Sequence, residues 1–191
     1  MIKMRPSRIF RWIVRIFLLV FTLSLSAVSL LGGFSAVTVL DPESYSINIP
    51  DGPITVNLDI TDANNMMINV PFNISNVGVY DLEEITIGFQ IQMTYGNSST
   101  ATNETTTIVI FNKEQEYGDI MHGDTLKDNF TGSGSDGFFI STIQQAETEV
   151  DWTRTPYAVE FYAGFTFSAW YSLNLYKFTV NIINFSIGHY P

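Results

Sequence analysis

Two histidines, His122 and His189, and no cysteine are found in the 191 residues. Thiolate nucleophiles, disulfides and cysteine metal sites are therefore excluded. A histidine metal site needs two or three imidazoles with a carboxylate in place. His122, flanked by Asp119 and Asp124, is the one local cluster, and it reads as a solvated loop. His189 lies two residues from the C-terminus, where chains commonly fray. The run Gly132-Ser133-Gly134-Ser135-Asp136-Gly137 suggests a nucleophile's turn or an anion-binding loop, but it has no Gly-x-Ser-x-Gly spacing and no clear helix after it. It reads as a flexible loop. Asp119, Asp124, Asp128 and Asp136 fall within 18 residues without the alternating spacing of a calcium loop. The pairs Glu83-Glu84 and Glu147-x-Glu149 read as solvent-facing. The sequence thus predicts no catalytic residue, no metal and no cofactor, and a chain that is not an enzyme.

Aromatic residues offer a different chemistry. Trp152, Tyr157, Tyr162, Trp170 and Tyr171 would suit a carbohydrate platform, although aromatics alternating along strands usually fill a core. Trp170 and Tyr171 are adjacent, so in a strand they point to opposite faces. One of the two should be exposed, and this pair is the candidate binding contact.

Such residues must be positioned by the rest of the chain, and its charge is sharply divided. Lys3, Arg5, Arg8, Arg11 and Arg15 lie in the first fifteen residues, and all nineteen acids fall from Asp41 onward. Residues 41–191 hold four Lys or Arg against nineteen acids, a net −15. An acidic body repels nucleic acid phosphate, so no nucleic acid partner is expected. Charged residues are only 15% and aromatics 14%, which excludes wholesale disorder. About 150 residues beyond an apolar leader make one ordinary domain.

Ile16 to Leu40 is a run of 25 residues without charge, long enough to span a bilayer. Trp12 and the arginines before it have no place in a soluble core. Because the arginines flank the N-terminal side only, the N-terminus is expected in the cytoplasm and the body outside it. The length favours a retained, single-pass signal anchor in the cell membrane. A cleaved signal peptide, cut near Ser24-Leu25-Ser26 or Phe34-Ser35-Ala36 and giving a secreted protein, is the alternative. The expected division is a basic head at 1–15, a transmembrane segment at 16–40, a Pro- and Gly-bearing linker at 41–53, and a domain at 54–191. Five Asn-x-Ser/Thr sequons lie in the body. Asn97 and Asn103, in a polar stretch, and Asn129 are the candidate glycan acceptors.

The body alternates apolar and polar residues almost throughout. Ile54–Ile60 and Ile68–Ile74 predict two half-buried strands, and Pro71 places the second at an edge or bulge. Ile85 to Tyr95 keeps period two over eleven residues. Ile108–Phe111 predicts a short strand, and 113–137 is the least regular part. Phe138-Phe139-Ile140 suggests a strand start, and Ile143–Val150 one or two helical turns. Val159 to Ala169 predicts a long strand with a bend at Gly164. After Phe178, Val180 and Ile182 the apolar parity switches, which predicts a bulge near Ile182-Ile183. About seven strands without a long amphipathic helix predict an all-β, antiparallel Ig-like sandwich.

Residues 54–95 carry a family resemblance. An alternating strand, a second running into Val70-Pro71-Phe72-Asn73-Ile74-Ser75-Asn76, and Tyr80-Asp81-Leu82-Glu83-Glu84-Ile85 opening a long strand together resemble the LEA14-type domain, also called the LEA type 2 or water-stress and hypersensitive-response domain. Gly118-Asp119-Ile120-Met121-His122-Gly123-Asp124 is similar to that family's glycine-bearing middle region. The resemblance implies a small β-sandwich, often placed after a membrane helix, with no catalytic residues to carry over. The expected function is structural or protein-interacting, with a protein partner in the cell envelope. A binding module for carbohydrate or a small ligand is the alternative.

Overall fold

The computed structural model describes residues 6–41, 46–59, 65–98, 104–134, 136–171, 174 and 176–190. Helix α1 runs from Pro6 to Leu40, 35 residues in one piece. It contains the expected span, and residues 6–15 of the expected basic head lie in the same helix. Pro6 suits a first helical turn, whose N–H groups lack partners anyway. The hydroxyls of Thr22 and Ser24 fold back onto Leu18 O and Val20 O, each at 2.9 Å. These bonds satisfy the hydroxyls without water, as an apolar surrounding demands. Among the described residues, Phe10–Leu40 is one helix long and apolar enough to cross a membrane.

The body is built from antiparallel β-sheets, as the alternation predicts, with eight strands among the described residues. These are β1 (Ile47–Asn48), β2 (Thr55–Asn57), β3 (Met67–Ser75), β4 (Leu82–Gly96), β5 (Thr105–Ile120), β6 (Thr125–Ser133), β7 (Val159–Tyr171) and β8 (Tyr176–Tyr190). One sheet centres on β3. β6 pairs along the whole of one edge, from Met67↔Ser133 to Ser75↔Thr125. β1 and β2 share the other edge, opposite Asn73–Ile74 and Met67–Asn69. The expected linker at 41–53 therefore contributes a short strand. The second sheet has the order β5-β4-β7-β8.

Pro71 sits in the central strand of the first sheet and not at an edge. Its carbonyl accepts Asp51 N at 2.7 Å, so its missing N–H also points toward the β1/β2 side. It falls in the break between β1 and β2, where no ladder bond is lost.

The inner faces meet in one core. Ile68, Val70, Phe72 and Ile74 of β3 lie among Ile85, Ile87, Phe89 and Ile91 of β4 and Phe165 and Phe167 of β7. The Phe89 ring lies 4.4 Å from Phe165, 5.9 Å from Phe130 and 6.1 Å from Phe111. A tilted aromatic cluster of this kind joins the two sheets through their centre.

The segment 113–137 departs most from expectation. It holds the second half of β5, all of β6 and the turn between them. Along β5 the inward positions are Lys113, Gln115 and Tyr117, which reach the seam between the sheets. Lys113 Nζ donates to Thr131 O at 2.8 Å and pairs with Asp136 at 2.5 Å, and Tyr117 OH donates to Asn129 O at 3.3 Å. Asn129 aligns with Pro71, so its carbonyl and that of Thr131 face away from β3. Two polar side chains thus cap the outer edge of β6.

Phe138 forms only an isolated bridge to Phe111, and helix α2 (Ile140–Glu149) follows, burying Ile143 and Ala146. The helix begins three residues before the expected turns and is the one that the glycine-rich run lacked in the sequence reading. The expected bulge on the last strand is present. Ala163↔Phe185 gives way to Phe165↔Ile182, so the extra residue falls between Ile182 and Phe185, across from Gly164.

Candidate functional site

The described surface has two distinct ends, set by strand direction. Leu82, Ile120, Tyr171 and Tyr176 lie at the end that receives α1, and Gly96, Thr105, Val159 and Tyr190 at the far end.

At the near end, Gly32, Ser35, Ala36 and Val39 of α1 are buried against the body. Their spacing of three and four residues puts them on one helix face. The face is small, so the helix backbone approaches closely. Ser35 Oγ hydrogen-bonds the Tyr171 hydroxyl and accepts Val79 N at 2.5 Å. The Tyr171 hydroxyl also accepts Tyr80 N at 3.2 Å. Buried Asn76 secures this loop. Its Nδ2 donates to Tyr80 O at 2.8 Å and Ile120 O at 3.0 Å, and its Oδ1 accepts Gly78 N at 3.1 Å. A Cβ on Gly78 would lie 1.8 Å from the Tyr171 hydroxyl oxygen, so the close approach requires glycine there.

His122 belongs to the same end. Its backbone N–H donates to Asp81 Oδ1 at 2.7 Å, and its Nδ1–H donates to Gly78 O. The imidazole stitches two loops together. Asp119 accepts Glu84 N, Asp128 accepts the neighbouring Asn129 N, and Asp136 pairs with Lys113. Among the described residues no three of His, Asp and Glu gather where they could hold a metal ion.

The aromatic pair divides as its alternation requires. Tyr171 is fully buried in the helix junction, while Trp170 is half-buried with Lys177 Nζ 5.6 Å from its ring centre. That is cation–π range, and Trp170 is the accessible member. Of the glycan candidates, Asn129 is exposed on β6. Asn97 is half-buried, and its Nδ2 donates to Glu149 at 3.2 Å. Asn103 lies outside the described residues.

At the far end Glu149 also accepts Tyr95 OH and Gln145 Nε2, each at 3.0 Å. Burial, followed by the bond to Glu149 and its charge, pushes the Tyr95 phenol up to about 12. Tyr157 lies over the His189 ring, centres 3.8 Å apart, beside a cleft of about 70 Å³ between Thr94, Arg154 and Glu160. That volume is well below the ~300 Å³ at which small-molecule pockets begin. A larger groove, about 560 Å³, lies between the broken edge of the first sheet and β8. Ile54, Val56, Phe185 and Ile187 line it, with no titratable side chain among the described residues.

The sequence reading missed the junction. Its signal was the spacing of Gly32, Ser35, Ala36 and Val39 within a segment read only as a milder part of the span.

No protein-family model matches the chain, and no curated sequence is similar to it. Among solved structures it is similar to Spo0M, the sporulation control protein of Bacillus subtilis, with a TM-score of 0.36 and 12% identity. The match covers 73% of this chain and 49% of that one, so the chain spans about half of that protein's length.

Proposed function

We propose that the chain is a single-pass, signal-anchored membrane protein. Its body would be an extracytoplasmic Ig-like, LEA14-like β-sandwich with a structural or protein-interaction role in the cell envelope. One observation carries the choice of anchor over cleaved signal: Ser35 and Val39 of α1 are buried against the body, and Ser35 takes part in its hydrogen bonding. Cleavage after residue 26 would keep Ser35 but cut α1 through its apolar span, and cleavage after residue 36 would remove Ser35, leaving the hydroxyl of Tyr171 and the amide of Val79 without that partner. A segment destined for removal gains nothing from such a fit. The basic residues before the span support a cytoplasmic N-terminus.

The test is intact-mass and N-terminal peptide analysis after separating membranes from medium. Retention of residues 16–40 in the membrane fraction supports the proposal. A mature chain beginning near residue 27 or 37 in the medium overturns it.

The groove beside β8 favours a second reading, a binding module. Its volume suits a small ligand, and its lining suits an apolar one better than a sugar. Calorimetric titration with short-chain fatty acids and oligosaccharides separates the two classes. No heat with either removes this reading.

A further inference from the structure

We infer that the helix-proximal end of the body is itself a lipid-contacting surface, with Val77, Val79 and Met121 reaching into the interfacial region of the same bilayer that holds α1. The inference rests on the anchor reading and goes beyond it. The key juxtaposition is Val79 against Ser35, since the backbone of one donates to the side chain of the other.

Helix length fixes the level. At about 1.5 Å per residue α1 is roughly 52 Å long, whereas the hydrocarbon layer is about 30 Å thick. Arg11 and Arg15 mark the end of the hydrocarbon on one side. About 20 residues counted from Ile16 then reach Ser35, where the body is docked. On the outward side of the helix, Phe34 and Val37 remain 67% and 68% exposed at this same level. A bilayer ending well short of the body would leave both in water.

The loops beside Ser35 have matching chemistry. Val77 and Val79, between β3 and β4, are 44% and 51% exposed, and Met121, between β5 and β6, is 66% exposed. His122 ties the two loops together through Gly78 O, so the three side chains belong to one surface. Tyr176 is also exposed, paired in the ladder with buried Tyr171 and followed by Lys177. Aliphatic tips with tyrosine and lysine at the margin match the composition of a bilayer interface. The acidic groups here, Asp81, Asp119 and Asp124, oppose attraction to anionic lipid. The recognised surface is therefore a neutral, zwitterionic one, entered through apolar contact.

Because the chain has no cysteine, single labels can be placed without background. The full chain with Val79→Cys, Met121→Cys, Met67→Cys or Leu23→Cys carries a nitrobenzoxadiazole probe in phosphatidylcholine vesicles. Quenching is then read with a nitroxide-bearing phosphatidylcholine. Met67 lies at the far end of β3 and reports the aqueous baseline; Leu23 reports the span. The expected result is quenching at 79 and 121 at least twofold above that at 67, with 23 quenched as well. Quenching at 23 but only baseline signal at 79 and 121 overturns this inference and leaves the anchor standing. Baseline signal at 23 overturns the anchor, and this inference with it.

Discussion

Ser35 of α1 and Tyr171 at the end of β7 share a hydrogen bond across 136 residues of sequence, and both are fully buried. The bond joins an apolar helix to a folded body at a site that apolar burial alone would leave unspecific in rotation. Two backbone amides, of Val79 and Tyr80, complete the cluster. Tyr171→Phe removes the hydroxyl and leaves Tyr80 N–H without its acceptor, a loss of about 1–3 kcal/mol. Gly78→Ala goes further, because its Cβ cannot coexist with the tyrosine hydroxyl. Thermal unfolding in detergent should rank the stabilities as wild type, Tyr171→Phe, then Gly78→Ala. Equal melting temperatures would show that the junction adds nothing to stability.

Phe111 is held between two glycines. A Cβ on Gly132 would lie 2.6 Å from its ring, and one on Gly137 would lie 2.7 Å away. Gly137 also has φ +93°, a conformation that L side chains rarely adopt. Gly132→Ala should therefore destabilise the body by about 1–3 kcal/mol through overpacking. Gly123→Ala, in open space but at φ +84°, tests backbone strain alone. Urea midpoints measure both, and an unchanged midpoint for Gly132→Ala would show that Phe111 relaxes freely.

The capped edge of β6 makes a prediction about association. Lys113→Met frees Thr131 O and breaks the contact with Asp136. It should cost about 1 kcal/mol and open an edge to pairing with a second chain. Sedimentation velocity on the variant is expected to show concentration-dependent self-association absent from wild type. A monomer at every concentration would remove the capping role.

Alkaline pH should destabilise the body. Burial raises the phenols of both Tyr95 and Tyr117, with Glu149 adding to the first and Asp128 to the second. The folded chain keeps protons that the unfolded chain releases near pH 10, so stability is complete below that value. It falls as pH rises from 10.0 toward about 12, the range between the ordinary and the raised value of Tyr95. Tyr95→Phe combined with Tyr117→Phe should flatten the pH dependence of the denaturation midpoint across that range.

Exposure separates the sequons. In a glycosylating secretory host, Asn129→Gln should remove a glycan-dependent gel shift, because Asn129 is exposed on β6. Asn97→Gln should change nothing, since its amide is held by Glu149. A shift lost with Asn97→Gln would mean that this bond opens before the acceptor site is passed.

Strands with one apolar and one wet face were legible. Ile85 to Tyr95 and Val159 to Ala169 sit at the centre of the second sheet, where the period-two pattern is strongest. The parity switch after Ile182 located a real bulge. The second half of β5 was not legible because its inward residues meet a seam and not the apolar centre, and β6 was not because Phe130 is its one large core side chain, set among polar residues and glycine. Lys113, Gln115 and Tyr117 therefore read as loop composition. Pro71 misled for a related reason. A proline in a strand signals an edge, but here a gap in the neighbouring strand serves the same purpose. Of the candidate site, the division of the Trp170-Tyr171 pair between two faces could be foreseen, although Trp170 is half-buried and not fully exposed. The spacing of Gly32, Ser35, Ala36 and Val39 marked one small helix face, but not that this face meets the body.

The small face of α1 also sets an angle. Each residue advances the helix by about 100°, so turning it by one position would carry Ser35 away from Tyr171. The shaft and the body consequently share one azimuth. Leu30, Phe34 and Val37 face away from the junction, and in the proposed anchor they meet the bilayer in a bearing fixed by the body. If the body is turned by something it touches, that outward face sweeps through the membrane with it, as a key turns its bit.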